Sequence, residues 1–280
     1  MSNLFIAFFA YMIDKKFGEF SFIKHPVIVI GELISFFEEK FYKNTITRGC
    51  LLVVFVLSVV SFFSVSLYLY LLVFNSFLNI LISSFIASMF IAHKMLRDSV
   101  ADILHVENKK EALSMLVSRD TKDMSESDIY KAAIETYAEN LNDGVVAPLF
   151  YLLLFNLPGI IIYKAINTMD SMVGYRNEKY EKFGKCAANL DDIANFIPSR
   201  LTAMLIMLLA KQKNLFAFYK DGKKHESPNA GHPITAMALA LHVKLGGDTS
   251  YFGKIKHKAY FGSGTDTIRK EDVQNALKLL

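Results

Sequence analysis

The sequence is poor in cysteine and in net charge, and it contains none of the common local catalytic signatures. Its two cysteines, Cys50 and Cys186, lie far apart and outside any metal-binding or redox spacing. A disulfide framework is therefore not expected, and the cysteine content is compatible with a reducing compartment. The formal net charge of +4 is mild, and no basic run is interleaved with aromatics, so nucleic acid is not an expected partner. No P-loop, zinc signature or hydrolase nucleophile elbow is present.

Charge is also missing from one long stretch, because no Asp, Glu, Lys or Arg lies between Arg48 and His93. This run is roughly twice the ~20 residues that one transmembrane helix needs. The polar segment NSFLN would supply a turn within it. We therefore predict a transmembrane hairpin within residues 49–92, over about Leu51–Phe74 and Phe77–Ala92. A buried hairpin of a soluble protein is disfavoured because both helices are apolar on every face.

The chain's cations predict which side of the membrane the hairpin returns to. Cations flank both of its ends; they are Lys15, Lys16, Lys24, Lys40, Lys43 and Arg48 before it, and Lys94, Arg97, Lys109 and Lys110 after it. By the positive-inside rule both ends lie in the cytoplasm, with the protein in the cell's inner or plasma membrane. The apolar N-terminal stretch Leu4–Ile13 is too short to span, and it lacks the basic region and cleavage site of a signal peptide. We expect it to remain as a partial or interfacial helix.

The remaining segments predict an all-α integral membrane protein with one domain over residues 1–280. Residues 93–144 are polar and helical in pattern, and SESD at Ser125–Asp128 is typical of a capping box that opens a helix. Residues 145–163 are apolar but interrupted by Pro148, Pro158 and Gly159. Since cations follow this segment, we interpret it as a broken or re-entrant segment that returns to the cytoplasmic side. Residues 164–280 are polar and rich in motifs, with a short apolar stretch at 201–210.

Three acids are spaced to share one helical face. In IETYAENLNDG, Glu135, Glu139 and Asp143 follow one another at intervals of four. Neighbouring carboxylates repel, whereas a hard cation such as Mg²⁺ would cancel the repulsion and suits oxygen ligands. Asn140 adds a neutral oxygen. The alternative is a solvated acidic face that ends in an Asp-Gly turn.

A second polar group follows the broken apolar segment, in YKAINTMDSMVGYR. At helical spacing Lys164, Asn167 and Ser171 form one stripe, with Asp170 beside it. Lys164 and Arg176 are suited to hold phosphate or carboxylate oxygens, Arg through a bidentate fork. The alternative is an interfacial helix whose lysine snorkels to the membrane surface.

Three further stretches offer polar side chains. In LDDIANFIPSR, Asp191 and Asn195 are four residues apart and Asp192 points elsewhere. A second acidic pair near the first would suit a metal–nucleotide site; helix capping by either aspartate is the alternative. The other candidates for binding a substrate are Arg200 from this stretch, Arg119 and Asp120 from RDT, and Ser227 and Asn229 from HESPNAGHP. The alternative for HESPNAGHP is a plain loop that needs no function, and RDT by itself is a weaker signal. Residues and spacing alone thus indicate a membrane protein with a metal- and anion-compatible cytoplasmic site, which fits an enzyme or a transporter.

Taken in order, these stretches resemble one family. VSRDT, AIETYAENLNDGVVAPLFY, YKAINTMDSMVGYRNEKY, FGKCAANLDDIANFIPSRL and SPNAGHP are similar to the hallmark segments of the cobalamin-biosynthesis CobD/CbiB family, the membrane-bound adenosylcobinamide-phosphate synthases. The resemblance covers most of the chain and is weakest across the hairpin. One departure is His232, which stands where the family usually has Trp. AmpE-like membrane sensors or transporters share part of the pattern and remain the alternative.

The resemblance implies a reaction, its substrates and a set of site residues. A propionate carboxylate of adenosylcobyric acid is joined to the amine of aminopropanol or its phosphate, with ATP and Mg²⁺. Catalytic roles are expected for Glu139, Asp143, Lys164 and Asp170, and metal binding for Glu135, Glu139, Asp143, Asp191 and Asp192. Substrate binding is expected for Arg119, Asp120, Asn140, Asn167, Ser171, Arg176, Asn195, Arg200, Ser227 and Asn229. Membrane lipid is an expected partner, and association with other membrane-bound enzymes of the pathway is allowed.

Overall fold

The computed structural model describes residues 2–251 and 253–279, with no account of the side chain of residue 251. Most of the described chain is helical. The helices are α1 (Ser2–Phe17), α2 (Pro26–Phe41), α3 (Ile46–Leu71), α4 (Ser76–Ser88), α5 (His93–Asp102), α6 (Lys109–Ser114), α7 (Glu126–Leu141), α8 (Ala147–Val173), α9 (Lys185–Ala194), α10 (Phe196–Leu209), α11 (Phe218–Gly222), α12 (Gly231–Leu241) and α13 (Lys270–Leu279). The prediction of an all-α membrane protein is confirmed.

Among the described residues, three segments are long and apolar enough to cross a membrane: Ile46–Leu71, Ser76–Asp102 and Glu126–Val173. A fourth is counted if α9 and α10 are taken as one bent span. The first two segments form the predicted hairpin. Its turn lies slightly earlier than expected, because α3 ends at Leu71 and the side chain of Asn75 caps α4 by accepting a hydrogen bond from the backbone N–H of Leu78.

The described chain clusters into two compact units. Unit 1 contains residues 1–94 and 143–195, and unit 2 contains residues 95–142 and 196–280. In unit 1, α3 and α8 pack together and α8 also contacts α1, α2, α4 and α9. Helix α8 is therefore the centre of this bundle. The single domain over residues 1–280 stays a prediction.

Helix α8 is broken, as Pro158 and Gly159 predicted. Inside it Asn156 has a non-helical backbone, with φ 57° and ψ −152°. The Asn156 side chain accepts a hydrogen bond from the Leu157 N–H at 2.7 Å and donates one to the side chain of Asn3 at 2.8 Å. These bonds stabilise a conformation that residues other than glycine rarely adopt. Whether the chain re-enters the same side of the membrane stays a prediction.

Unit 2 is built around α12, whose residues 231–238 are all buried. Helices α7, α10, α11 and α13 pack on it. Two short antiparallel pairs, which the sequence analysis did not predict, complete the unit; they join β1 (Leu245–Gly246) to β4 (Tyr260–Phe261) and β2 (Thr249–Tyr251) to β3 (Lys254–Lys256). Helix α7 begins where the capping box predicted, since Ser125 accepts a hydrogen bond from the N–H of Asp128.

Candidate functional site

The polar stripe predicted on residues 164–171 lies on the last turns of α8, in unit 1. The Lys164 ammonium lies 3.2 Å from Asn167 Oδ1 and 3.4 Å from the backbone carbonyl of Asp143. Asp143 belongs to a π-helical turn, Asn142–Val146, that precedes α8. Such turns often occur at functional sites. Ser171 lies one turn on, and its hydroxyl donates to the Asn167 carbonyl at 2.9 Å.

A chain of hydrogen bonds joins α8 to α9. The amide of Asn167 donates to Asp191 Oδ1 at 3.5 Å, and the amide of Asn195 donates to Asp191 Oδ2 at 3.0 Å. The buried Tyr163 hydroxyl donates to Asn195 Oδ1 at 2.9 Å. Helix α9 begins at Lys185, six residues before Asp191, so Asp191 does not cap it. Both asparagines and Asp191 are held with fixed orientations, as a binding site requires.

Acidic charge is concentrated around Lys164. The charges of Asp143, Asp170 and Asp191 act on one another, and Lys164 interacts favourably with Asp143 and Asp191. Among the described residues none donates a hydrogen bond to the Asp170 carboxylate, which is half-buried. A Cβ atom at Gly174 would lie 2.0 Å from Asp170 Oδ1, so a side chain at position 174 would displace this carboxylate. The cluster offers both a cation for an anionic substrate and a carboxylate that can accept a proton.

Three other residues near this cluster bear on it. Arg176 is exposed in the loop after α8, and its charge interacts with Asp192 on α9. His25 precedes α2 and caps it by accepting from the Val27 N–H. Burial lowers the pKa of His25, and the charge of Lys164 acts in the same direction. A neutral imidazole therefore lies within electrostatic range of Lys164.

The predicted metal ligands do not form a preassembled cage. No group of three or more His, Cys, Asp or Glu side chains within residues 2–251 and 253–279 is arranged to hold a metal ion. The charge of Glu135 is already neutralised by Arg119, at 2.8 Å, and its other carboxylate oxygen accepts from the Gly246 N–H at 2.7 Å. The described partners of Asp191 are neutral amides, which leave its negative charge available. Glu139 is exposed. Mg²⁺ commonly needs only one or two carboxylates when substrate phosphates supply the other oxygens, so Asp143 and Asp191 fit a phosphate-bound Mg²⁺.

Unit 2 contains its own polar site around the RDT motif. Asp120 Oδ2 accepts from the Ser250 hydroxyl at 2.7 Å and from the Gly253 N–H at 2.8 Å, which fastens the β2–β3 hairpin. An open cavity of about 630 Å³ lies beside it. Cations and acids both line this cavity; they include Arg119, Lys122, Lys131, Asp120, Asp123 and Asp248. A ligand with charges of both signs matches such a lining.

Arg200 connects the other predicted binding residues of unit 2. Its guanidinium donates to Asn229 Oδ1 at 3.0 Å and to the Pro228 carbonyl at 3.2 Å. The hydroxyl of Ser227 accepts from the N–H groups of Asn229 and Ala230. These residues thus hold the SPNAG loop in place. Asn140, by contrast, has its described side-chain hydrogen bonds within α7, where its amide donates to Thr136.

His232, the departure from the family pattern, occupies an aromatic position. Its ring stacks on Tyr219 at 5.2 Å between centroids and meets Phe218 edge-on at 5.6 Å. Burial lowers the pKa of His232 to about 4, and the charge of Arg200 contributes. The imidazole is therefore neutral near pH 7 and packs as a flat ring against Tyr219 and Phe218.

Tyr163, Tyr151 and His25 were not among the site residues predicted from the sequence. Tyr163 and Tyr151 stack with ring centroids 5.0 Å apart, and the Tyr151 hydroxyl donates to the Ala194 carbonyl at 3.0 Å. Tyr163 precedes Asn167 by four residues, so helical spacing alone could have placed it on the same stripe. Tyr151 is the last residue of the segment AIETYAENLNDGVVAPLFY, so the family resemblance could have pointed to it, whereas residue spacing does not point to His25.

Comparison with known proteins gives one family. The family model described as "CobD/Cbib protein" matches residues 7–280. The "Cobalamin biosynthesis protein CobD" of Halalkalibacterium halodurans is 37% identical over 97% of this chain and 90% of its own length. The "Probable cobalamin biosynthesis protein CobD" of Pyrococcus furiosus is 38% identical over 96% of this chain and 91% of its own. The "Cobalamin biosynthesis protein CobD" of Clostridium perfringens is 36% identical over 96% and 91%.

No solved structure matches the chain significantly. The family match begins within α1 and extends through α13, and it therefore includes the polar site residues of both units. It agrees with the resemblance carried by the SRDT, AENLNDG, AINTMDSMVGYR, LDDIANFIPSR and SPNAG segments. The chain belongs to the CobD/CbiB family.

Proposed function

We propose that this protein acts in cobalamin biosynthesis as an adenosylcobinamide-phosphate synthase. It joins a propionate carboxylate of adenosylcobyric acid to the amine of aminopropanol or aminopropanol phosphate, with ATP as the co-substrate. Family membership and the names of the relatives support the pathway. The observation that carries the reaction is the Lys164–Asn167–Asp191–Asn195 cluster of unit 1, in which a cation and carboxylates lie side by side.

The proposed reaction has two steps, because a carboxylate oxygen is a poor leaving group. In the first, a carboxylate oxygen of the corrinoid attacks the γ-phosphorus of ATP, which gives an acyl phosphate and releases ADP. In the second, the amine nitrogen attacks the acyl carbon and the C–O bond to phosphate breaks. The amine loses a proton to a base, and inorganic phosphate departs with one oxygen of the original carboxylate. Charge builds on phosphate oxygens in the first step, where preorganised cations stabilise it.

The residues of unit 1 support specific roles in these steps. The Lys164 ammonium would neutralise transferred phosphate, since its described contacts are with neutral oxygens and leave donor capacity. Asp143 and Asp191 would hold Mg²⁺, which supplies charge neutralisation on the phosphates when bound. Asp170 would accept the amine proton, because none of the described residues donates to its carboxylate. Asn167 and Asn195 would keep Asp191 oriented.

The cavity of unit 2 supports a second part of the proposal. Lys131 is half-buried at its wall, beside Arg119, while Asp120 and Asp123 lie on the same lining. Phosphate oxygens pair with cations, and an ammonium pairs with carboxylates. Aminopropanol phosphate carries both groups, so we propose that this cavity binds the amine substrate before it reacts. Lys131→Met should then raise KM for aminopropanol phosphate and leave KM for ATP unchanged.

The experiment is a direct assay of the purified protein in detergent. Adenosylcobyric acid, aminopropanol phosphate and Mg-ATP are supplied, and mass spectrometry follows amide and ADP. We expect one ADP for each amide, with no amide when ATP is omitted. The variants Asp143→Asn and Asp191→Asn should lose turnover while remaining folded. Amide formation without nucleotide cleavage, or full activity in both variants, would contradict the proposal.

A further inference from the structure

The segment Lys211–Lys224, which follows α10, concentrates positive charge. We call it the basic segment. It contains Lys211, Lys213, Lys220, Lys223 and Lys224, all exposed, and one acid, Asp221. Five lysines against one aspartate give +4, which equals the formal net charge of the entire chain, since the other residues balance. Only Lys224 has an ion pair here, with Asp221 at 2.6 Å, among the described contacts of this segment.

Large apolar side chains are exposed within and just before the basic segment. Phe216 is 63% exposed, and Leu208 and Leu209, at the end of α10, are 60% and 43% exposed. Helix α10 is the second half of the bent pair that could form one membrane span. The basic segment therefore begins where an apolar helix ends, which is where a membrane span meets the headgroup layer.

Local hydrogen bonds and packing against the core of unit 2 fix the backbone around Phe216. Asn214 Oδ1 accepts from the Phe216 N–H at 3.1 Å, and the Ala217 N–H donates to the Asn214 carbonyl at 3.2 Å. The next residue, Phe218, is buried, and Tyr219 stacks on His232. Because Phe218 and Tyr219 fix α11 to the core of unit 2, Phe216 is left outside it by the geometry of the turn.

A run of exposed lysines is most often only a solvated face. A solvated face does not explain why large apolar side chains such as Phe216 and Leu208 are exposed beside the lysines. An anionic membrane surface explains both features together. Lysines at the end of an apolar helix are attracted to anionic headgroups, and an aromatic ring beside them is stabilised at the boundary with the acyl chains. We propose that the basic segment docks on anionic phospholipid headgroups, with Phe216 inserted at the acyl boundary.

The absence of tryptophan from the chain gives a clean test. Phe216→Trp introduces a single selectively excited reporter at an exposed position. The full-length variant is placed in nanodiscs of phosphatidylcholine, with or without phosphatidylglycerol, that contain lipid brominated near the headgroup end of the acyl chain. We expect blue-shifted emission and bromine quenching, both stronger with phosphatidylglycerol. Tyr260→Trp, at an exposed aromatic position of the same unit, should give solvent-like, unquenched emission.

A second set of variants tests whether the lysine charges of the basic segment are required. In the Phe216→Trp background, Lys213→Gln, Lys220→Gln and Lys223→Gln together should remove the dependence on phosphatidylglycerol and leave circular dichroism unchanged. The matched control replaces Lys254, Lys270 and Lys278 with Gln and should keep that dependence. Solvent-like emission in every nanodisc would overturn the proposal. Equal quenching with and without phosphatidylglycerol would also overturn it. A blue shift that occurs only when other membrane proteins are added to the nanodiscs would also overturn it, because it would indicate a protein partner.

Discussion

At the scale of single residues, Lys164 is the side chain on which the account depends most. It is a half-buried cation on α8, and its described hydrogen bonds go to an amide oxygen and a backbone carbonyl rather than to a carboxylate. Removing a cation from water without an ion pair at hydrogen-bond distance costs free energy. A protein that keeps such a group commonly uses it to bind an anion.

Replacing Lys164 with Met should therefore lower kcat/KM for ATP by about a hundredfold, equivalent to roughly 2.7 kcal/mol of transition-state stabilisation. Steady-state kinetics with ATP varied at saturating corrinoid and amine would measure it. Lys185→Met is the matched control, because Lys185 is an exposed lysine at the start of α9. Equal activity of the two variants would remove Lys164 from the proposed phosphate site.

At the scale of structural elements, the break in α8 depends on Asn156. Its combination of φ 57° and ψ −152° is adopted readily only by glycine, and the hydrogen bond from the Leu157 N–H to the Asn156 side chain stabilises it. We expect Asn156→Leu to lower the free energy of unfolding by about 1–3 kcal/mol through backbone strain and loss of the bond to Leu157. Asn156→Gly keeps the backbone conformation and should lose less. Thermal unfolding in detergent would compare them, and equal midpoints would contradict this explanation of the break.

Asp14 on α1 determines how α5 begins. Its Oδ2 accepts from the His93 N–H at 2.9 Å and from the Lys94 N–H at 3.3 Å. Burial raises the pKa of Asp14 to about 6, and the nearby charge of Glu19 adds to this, while the two hydrogen bonds and the charge of Lys94 oppose it. Between the unfolded value near 4 and about 6, the folded protein binds more protons than the unfolded chain. Stability should consequently fall as pH rises through this range.

Asp14→Asn keeps an oxygen for both N–H groups and removes the titration. We expect it to abolish this part of the pH dependence. Above about pH 6 it should raise the free energy of unfolding by on the order of 1 kcal/mol, and the unfolding midpoint should rise accordingly. Asp14→Ala loses the cap and should be less stable than Asp14→Asn by about 1 kcal/mol at all pH values. Thermal melts between about pH 4 and pH 8 would show both effects. An unchanged pH profile in Asp14→Asn would contradict the assignment.

Elements with strong local signals were predictable, and those set by long-range contacts were not. The hairpin, the capped start of α7 and the break in α8 followed from the uncharged run, from Ser125 and from Pro158. The strands β1–β4 did not, because each has only two or three residues and pairs across turns. Within the site, the contact of Lys164 with Asn167 followed from helical spacing. The contacts of Asp191 with Asn167 and of Glu135 with Arg119 depend on packing between separate segments, which spacing does not reveal.

At the scale of the whole molecule, the cations around the hairpin predict that its ends face the cytoplasm. In a Cys50→Ser, Cys186→Ser background, Lys40→Cys should resist a membrane-impermeant thiol reagent added outside intact cells. Val73→Cys, at an 81% exposed position in the turn between α3 and α4, should react with it. The opposite pattern would reverse the orientation and separate the site from cytoplasmic ATP.

The central claim is that the corrinoid carboxylate is activated by phosphoryl transfer from ATP, and oxygen labelling tests it most directly. Adenosylcobyric acid labelled with ¹⁸O in its propionate carboxylate is converted with aminopropanol phosphate and Mg-ATP, and the released phosphate is analysed by mass spectrometry. The account predicts one ¹⁸O atom in the inorganic phosphate for each amide formed, and ADP as the nucleotide product. Label in AMP, or unlabelled phosphate beside a labelled amide and labelled water, would contradict it.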